Sequence, residues 1–235
     1  MDPNKLYIRR LEKMNKNQKK IIELCYDHRY TTVEIISEFL GIRITSVYRI
    51  ITQLENLKLI KKHKIILVKN TIELTVVGIT LEGIYQHARN SNEAKIIESR
   101  AFDKSTFNNA SFLHTLAIQK VRNKIDKMYP ESQFTFTPIP RRKRNKQIPD
   151  MVWNPKRDVF VAVEVELTVK TKQRYQDILC LYANDLECWR YKSVIYAIPK
   201  LKIKQFRKVI EEQQYVMIKK YKKESLRDRI KFVSF

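Results

Sequence analysis

The sequence has little glycine, little cysteine and no long apolar run, and each shortage excludes a class of protein. The three glycines (Gly41, Gly78 and Gly83) are too few and too scattered for the phosphate-binding loops of nucleotide-dependent motors and dinucleotide enzymes. The three cysteines lack the spacing of a zinc finger and cannot all pair in a disulfide framework. No apolar run approaches the ~20 residues of a membrane-spanning helix, and no signal peptide is evident. We therefore expect a cytoplasmic protein with no membrane partner.

Acidic residues are scarce relative to basic ones. The 235 residues include 47 Lys and Arg against 25 Asp and Glu, so the formal net charge is +22. Hydrophobic residues make up 43% of the chain, which is enough for a packed core. A folded chain with this excess of positive charge typically binds a polyanion, and nucleic acid is the expected partner.

Residues 1–89 carry the succession of elements found in a winged helix-turn-helix. Apolar residues at helical spacing predict three helices, Gly41 supplies the turn before the third, and two β-rich runs predict a hairpin. A further helix follows the hairpin. The predicted elements are helices Asn17–Tyr26, Val33–Leu40 and Ile44–Leu57, strands Ile65–Val68 and Ile72–Val77, and helix Thr80–Arg89.

The segment Leu40–Arg49 resembles the turn and recognition helix of many winged-helix repressors, except that Arg43 replaces the usual Ser or Thr cap. With Val47, Ile50, Ile51 and Leu54 facing inward, the polar side chains of this helix point outward and can donate to phosphates or base edges. The following Lys-rich run enters the wing. The DNA-binding candidates are Arg43, Thr45, Ser46, Tyr48, Arg49, Thr52, Gln53, Lys61, Lys62, His63 and Lys64. The alternative is a winged helix that serves protein association.

The second half of the chain predicts a small α/β domain. The polar stretch 90–106 is the candidate linker, and the domain occupies 107–235. Its elements follow the order α-β-β-β-α-β, which predicts a mixed sheet. The fold class expected for the whole chain is α+β in two domains. The predicted elements are helix Phe107–Met128, strands Phe134–Thr137, Ile148–Trp153 and Val159–Val169, helix Thr171–Leu186, strand Val194–Ile198 and helix Leu201–Gln214.

Three carboxylates of this domain are candidate ligands for a hard cation. Residues 161–170 alternate cleanly, so Glu164, Glu166 and Lys170 share one face of the predicted strand. Asp150 lies on the preceding strand and approaches the glutamates if the two strands pair. Carboxylates converging on a sheet can hold Mg²⁺, which activates water against a phosphodiester. The structural alternative places the glutamates on an exposed face, paired with Lys172 or Arg174.

This constellation resembles the PD-(D/E)xK nuclease-like fold. Pro149-Asp150 matches the first half of the motif, and Glu164-Val165-Glu166 matches the second half with glutamate in place of lysine. The missing cation would have to come from Lys170, Lys172 or a second metal. If the strand continues, Lys170 begins ~13 Å from Glu166 at ~3.3 Å per residue, so a contact between them requires the long side chain to fold back and is not favoured. The resemblance implies either a degenerate, non-cutting site or a Mg²⁺-dependent nuclease, and we favour the former, without a cofactor.

Taken whole, the chain is similar to the replication-relaxation family, the mobilization accessory proteins of plasmids and mobile elements. The matching segments are His114–Ala117, Ile148–Asp150 and Phe160–Glu166. The resemblance implies a sequence-specific double-stranded DNA-binding protein, not itself an enzyme, that assists a relaxase or replication initiator at an origin. The alternatives are a metal-dependent endonuclease targeted by its winged helix and a transcriptional repressor.

Basic runs occur in both halves of the chain. Residues 1–70 carry 15 Lys and Arg against 7 Asp and Glu, and residues 200–231 carry 12 against 4, so each segment has a net charge of +8. A third run precedes Asp150 and adds candidate phosphate contacts. We expect both halves to contact one long DNA site, as a monomer or a homodimer. The third run contains Arg141, Arg142, Lys143, Arg144 and Lys146.

Overall fold

The structure is a computed structural model that describes residues 14–67, 72–91, 100–106, 108–136 and 148–235. The chain divides into two compact units, the first ending at Gln119 and the second running from Lys120 to Phe235. This division falls inside a long helix instead of in the polar stretch 90–106. Within the described residues, no helix combines the length and apolar character needed to cross a bilayer. The chain belongs to the α+β class, as predicted.

The first unit is built on a three-stranded antiparallel sheet. The strands lie in the order β1-β3-β2, so the first strand pairs with the third and the hairpin predicted from the sequence is present. The short β1 was not predicted. In chain order the elements are α1 Lys16–His28, β1 Tyr30–Thr32, α2 Val33–Leu40, α3 Ile44–Asn56, β2 Ile60–Leu67, β3 Ile72–Ile79 and α4 Leu81–Ser91.

Local signals in the sequence set the ends of the first helices. Asn15 and Gln18 form a reciprocal capping box that starts α1. The Thr32 side chain accepts the Ile35 N–H at the start of α2. Gly41 ends α2 in the left-handed region at φ 66°, where its N–H donates to the Ser37 carbonyl. These three signals explain why the sequence locates both helices to within two residues.

Apolar residues cover both faces of the first sheet. Val77 and Ile79 of β3 belong to the main core, together with the buried sides of α1, α2 and α3. Val76 points to the opposite face and packs with Tyr30, Ile65 and Phe112. Alternation along one strand thus supplies two separate apolar clusters.

Part of the segment predicted as a linker packs against the first unit. The Phe102 N–H donates to the Ile79 carbonyl at 2.9 Å, and Arg100 donates to the Tyr26 carbonyl at 2.9 Å. The Phe102 ring lies where a Cβ at position 78 would be, within 2.5 Å of it, so only glycine fits there. Residues 100–106 are therefore an ordered part of this unit.

The second unit is a five-stranded mixed sheet in the order β4-β5-β6-β7-β8. The first two pairings are antiparallel and the last two are parallel. The observed order α5-β4-β5-β6-α6-β7 follows the predicted α-β-β-β-α-β, and the final strand β8 was not predicted. The elements are α5 Asn109–Met128, which begins in the first unit, β4 Gln133–Phe136, β5 Met151–Lys156, β6 Val159–Val165, α6 Lys172–Glu187, β7 Ser193–Ile198, α7 Ile203–Tyr221 and β8 Ile230–Ser234.

The strand β6 is shorter than predicted. It ends at Val165 instead of Val169, and an irregular turn of residues 166–171 leads into α6. The alternating pattern that suggested a longer strand continues past the true end of the strand. On one face of the sheet, Ala162, Val194 and Tyr196 pack against Tyr182 of α6 and Phe206 of α7 in a single core. This face carries the carboxylates.

Candidate functional site

The outward face of α3 carries five of the sixteen predicted DNA-binding side chains. Val47, Ile51 and Leu54 are fully buried and fix which face of the helix points inward. The opposite face is exposed, as the helical periodicity predicts. Its exposed residues are Thr45, Tyr48, Arg49, Thr52 and Gln53, with Arg43 exposed just before the helix and Ser46 half-buried.

Arg43 is the N-cap of α3, and its side chain makes no capping hydrogen bond. The Arg43 carbonyl accepts the N–H groups of Ser46 and Val47 at 2.9 and 3.1 Å, and its guanidinium takes no part in the cap. Farther along, the Thr52 hydroxyl donates to the Tyr48 carbonyl at 3.0 Å. Arg43 and Arg49 are both exposed to solvent.

Two of the hairpin lysines that were predicted to contact DNA form ion pairs within the protein. Lys62 pairs with Glu55 at 2.9 Å, and Lys64 pairs with Glu73 at 2.6 Å. Burial opposes ionisation of Glu55, but its hydrogen bonds to Lys62 and the charge of Lys62 outweigh that effect and lower the pKa of Glu55. Lys61 is exposed at the start of β2.

His63 of the hairpin is half-buried. Its ring meets the Phe102 ring edge-on, with centroids 4.8 Å apart. Burial and the nearby charge of Lys61 lower its pKa below the ordinary value of 6.5. The basic run Arg141–Lys146, also predicted to contact DNA, lies outside the described residues.

Sheet pairing brings Asp150 to the end of β6. Asp150 immediately precedes β5, whose Met151 pairs with Val163. The Asp150 Oδ2 accepts the Val165 N–H at 2.7 Å. The predicted approach of Asp150 to the Glu164–Glu166 segment is thus observed, and it is made through the backbone between the two glutamates.

Both glutamates are buried, so the exposed-face alternative with Lys172 or Arg174 as partners is wrong. Glu164 is 6% exposed and Glu166 is 3% exposed, whereas Lys172 and Arg174 lie exposed in the first turn of α6. The carboxylates are buried because α6 packs over this face of the sheet. Burying a carboxylate without donors is costly, so each needs a partner in the protein.

Glu164 accepts a hydrogen bond from the Tyr182 hydroxyl, which reaches it from α6. Burial, reinforced by the negative charge of Glu164, raises the pKa of Tyr182 well above its usual value. Tyr196 is paired with Glu164 in the parallel β6–β7 register. Its hydroxyl is buried and has no hydrogen-bond partner in the described part of the chain.

Glu166 forms an ion pair with Lys170, a contact that the sequence analysis did not expect. The ~13 Å separation assumed a continuing strand. The strand ends at Val165, the Glu166 N–H donates to the Ala197 carbonyl at 2.9 Å, and the following turn brings Lys170 back. The Lys170 N–H donates to the Tyr175 hydroxyl at 3.3 Å. Burial and the charge of Glu166 raise the pKa of Tyr175 to about 12.

In these contacts each candidate metal ligand accepts a hydrogen bond from a protein group. Asp150 accepts a backbone N–H, Glu164 accepts a phenol and Glu166 accepts an ammonium. Across the described ranges, no three His, Cys, Asp or Glu side chains are grouped so that they could hold a metal ion. Carboxylate oxygens are the ligands that Mg²⁺ prefers, and in this structure each of the three carboxylates is engaged by a donor of the protein.

The tyrosines that contact this network were not predicted from the sequence. Tyr175 and Tyr182 are seven residues apart on α6, which places them two turns apart on one face, and this spacing was available as a signal. Tyr196 lies within a continuous apolar strand and gives no separate signal. His114, which contributes to the family resemblance, is half-buried on α5.

Comparison with known proteins does not extend this description. No family model, no curated protein and no solved structure matches the chain. The functional interpretation therefore depends on the geometry and charge of the residues described above.

Proposed function

We propose that this protein binds a specific double-stranded DNA sequence through α3. The observation that carries the proposal is the row of exposed polar side chains on α3, opposite the buried Val47, Ile51 and Leu54. An α-helix fits the major groove, and Arg49 can make a bidentate contact to guanine there. Thr45, Tyr48 and Thr52 supply further groups for bases or phosphates.

The setting of α3 supports a winged helix-turn-helix interpretation of the first unit. The chain order α1-β1-α2-α3-β2-β3, the Gly41 turn before α3 and the pairing of β1 with β3 agree with that architecture. Lys61 on the hairpin is exposed beside the helix-turn-helix elements. The net charge of +22 favours a polyanion over a protein partner.

For the second unit we propose a nuclease-like fold that does not cut DNA. Its element order supports the PD-(D/E)xK interpretation, and its carboxylates are occupied by Tyr182, Lys170 and a backbone N–H. Its role is then to add phosphate contacts through its basic segments or to dock a partner. A setting in plasmid or mobile-element mobilization, beside a relaxase or replication initiator, follows from the family resemblance. Transcriptional repression at the same locus uses the same DNA-binding step.

A selection from random-sequence DNA duplexes tests this proposal. The protein should enrich one motif, and a duplex carrying that motif should be shifted in a gel at concentrations that leave a scrambled duplex free. Recovery of unrelated sequences, or equal binding of the two duplexes, would refute sequence-specific recognition. Footprinting the enriched site would show whether one protein or a symmetric pair covers it.

The second candidate function is a metal-dependent endonuclease, and one observation favours it. Glu166 stands at the position where the nuclease motif normally has lysine, and Lys170 places an ammonium group beside it. Incubating plasmid DNA with the protein and Mg²⁺ or Mn²⁺ separates the two candidates. We expect intact plasmid, whereas nicking that disappears in Glu164→Ala or Asp150→Ala would establish the endonuclease.

A further inference from the structure

An exposed tryptophan occupies a position where the backbone favours glycine. Trp189 follows α6 and has φ 57°, in the left-handed region. The Arg190 N–H donates to the Asp185 carbonyl at 2.9 Å, and the Trp189 N–H donates to the Leu186 carbonyl at 3.3 Å. This pattern is a Schellman motif, in which glycine is the usual residue because a side chain strains the left-handed conformation.

Folding of the second unit gains little from this side chain. Trp189 is 71% exposed, the largest exposed fraction of any aromatic side chain in the described residues. Its indole therefore remains mostly in water while its backbone keeps a strained conformation. Five other described non-glycine residues share the left-handed conformation, so it is the exposure of a large indole there that points to a function outside folding.

A fixed arginine lies over the indole. The guanidinium carbon of Arg229 is 4.5 Å from the centroid of the Trp189 ring. Arg229 also donates to the Leu186 carbonyl at 2.8 Å, so it would keep its place without the indole. The exposure of Trp189 leaves the rest of the ring open to a flat partner.

The segments that carry Trp189 and Arg229 contain more basic residues than their two ion pairs use. Arg190 pairs with Asp185 at 3.3 Å, and Arg227 pairs with Glu224 at 2.8 Å. Lys192 is exposed three residues after Trp189, and its backbone N–H is held by the Phe160 carbonyl at 2.8 Å. Arg229 over the indole and Lys192 three residues along the chain carry positive charge, and exposed Asp228 next to Arg229 carries a negative charge.

We propose that Trp189 and Arg229 bind single-stranded DNA by stacking one unpaired base on the indole, with Lys192 contacting the adjacent phosphate. The proposal rests on the proposed DNA-binding function. It assigns single-stranded DNA to the second unit, whereas α3 is proposed to bind duplex DNA. Proteins that bind single strands combine exposed aromatic rings with cations in this way. A base within a duplex is stacked on both sides and cannot present its face to Trp189, so the surface selects unpaired DNA.

Tryptophan fluorescence tests the stacking directly. The chain has two tryptophans, so in a Trp153→Phe variant the emission comes from Trp189 alone. Titration with a fifteen-nucleotide oligothymidine should quench that emission. In the Trp189→Phe variant, where Trp153 is the reporter, the same titration should leave the emission unchanged. Unquenched Trp189 emission at saturating oligonucleotide would overturn the proposal and leave the indole to a protein contact.

Affinity measurements separate a stacking role from a structural one. Trp189→Gly should weaken oligothymidine binding roughly 5- to 150-fold, the range of base–aromatic stacking. Its melting temperature should equal or exceed that of the parent, because glycine relieves the left-handed strain. Trp189→Phe should retain most of the affinity.

The matched control is Tyr215→Ala on α7, an exposed aromatic residue that also has a lysine over its ring, at 5.9 Å. It should bind oligothymidine like the parent. An unchanged affinity in Trp189→Gly, or an equal loss in Tyr215→Ala, would overturn the proposal. Duplex binding should be the same in Trp189→Gly and the parent. If the parent fails to bind any duplex specifically, the proposed function fails while the oligothymidine result still decides this inference.

Discussion

Lys170 and Glu166 form an ion pair because β6 ends one residue before Glu166. The Glu166 side chain is 4% exposed and the Lys170 side chain is 35% exposed, so a buried carboxylate is neutralised from the surface. The pair also anchors the turn that leads into α6. The carboxylate network of the second unit thus has a structural function whether or not the protein binds metal.

Replacing Lys170 should destabilise the protein. Lys170→Ala leaves the Glu166 carboxylate buried without its cation, and we expect the free energy of unfolding to fall by about 1–3 kcal/mol. This loss is smaller than for a fully buried pair because water reaches Lys170. Denaturant unfolding measures the change. Lys172→Ala, an exposed neighbour, is the matched control and should stay within about 0.5 kcal/mol of the parent. Equal stability of the two variants would contradict the ion-pair interpretation.

Two buried tyrosines should respond oppositely to loss of their hydroxyls. Tyr182→Phe removes the donor to Glu164 and should cost about 1–3 kcal/mol of unfolding free energy. Tyr196→Phe removes a buried hydroxyl that has no partner in the described structure, so it should be neutral or stabilising. Thermal or denaturant unfolding distinguishes the two. A larger loss for Tyr196→Phe would mean that its hydroxyl has a partner in solution.

Stability should fall in alkali through the same tyrosines. Burial, with added repulsion from the carboxylates, raises the pKa of Tyr182 and Tyr196 well above the unfolded value of 10.0 and that of Tyr175 to about 12. Above pH 10 the unfolded chain loses these protons first, so stability is full below pH 10 and decreases as the pH rises toward 12. Denaturant unfolding at a series of pH values should show this decrease. The slope should be shallower in Tyr182→Phe, and an identical slope would exclude Tyr182 as a contributor.

The helices and the order of elements were largely predictable because their signals are local. The helix α2 begins after Thr32 and ends before Gly41, at the residues that the sequence indicated. The strand β1 was missed because three residues give no alternation to detect. The strand β6 was overextended because the alternation of 161–170 continues beyond the hydrogen-bonded segment.

The sequence indicated which carboxylates come together, but it did not indicate which groups bury and contact them. Pairing of the two strands predicts that Asp150 approaches the glutamates, and Asp150 accepts the Val165 N–H between them. Burial of Glu164 depends on α6 packing over the sheet, which is a tertiary contact with no trace in the strand's own pattern. The Lys170 contact forms because β6 ends at Val165. The alternating pattern continues to residue 170 and therefore gives no sign of that end.

DNA binding should depend steeply on salt. If both basic halves contact the backbone, roughly 6–10 phosphate contacts give a slope of about −5 to −9 in a plot of log affinity against log salt concentration. Fluorescence anisotropy of a labelled duplex at several salt concentrations provides the slope. A value shallower than about −3 would mean that most of the +22 charge faces solvent in the complex.

The most direct test of sequence recognition by α3 is the discrimination of an Arg49→Ala variant between the selected duplex and a scrambled one. Arg89→Ala, which removes an exposed arginine from α4, is the control for the change in charge. We expect Arg49→Ala to lose about 1–3 kcal/mol of discrimination, because a bidentate base contact is removed. Arg89→Ala should keep the parental ratio of affinities. An unchanged ratio in Arg49→Ala, with or without equal weakening on both duplexes, would contradict base recognition by Arg49 and the placement of this face of α3 in the major groove.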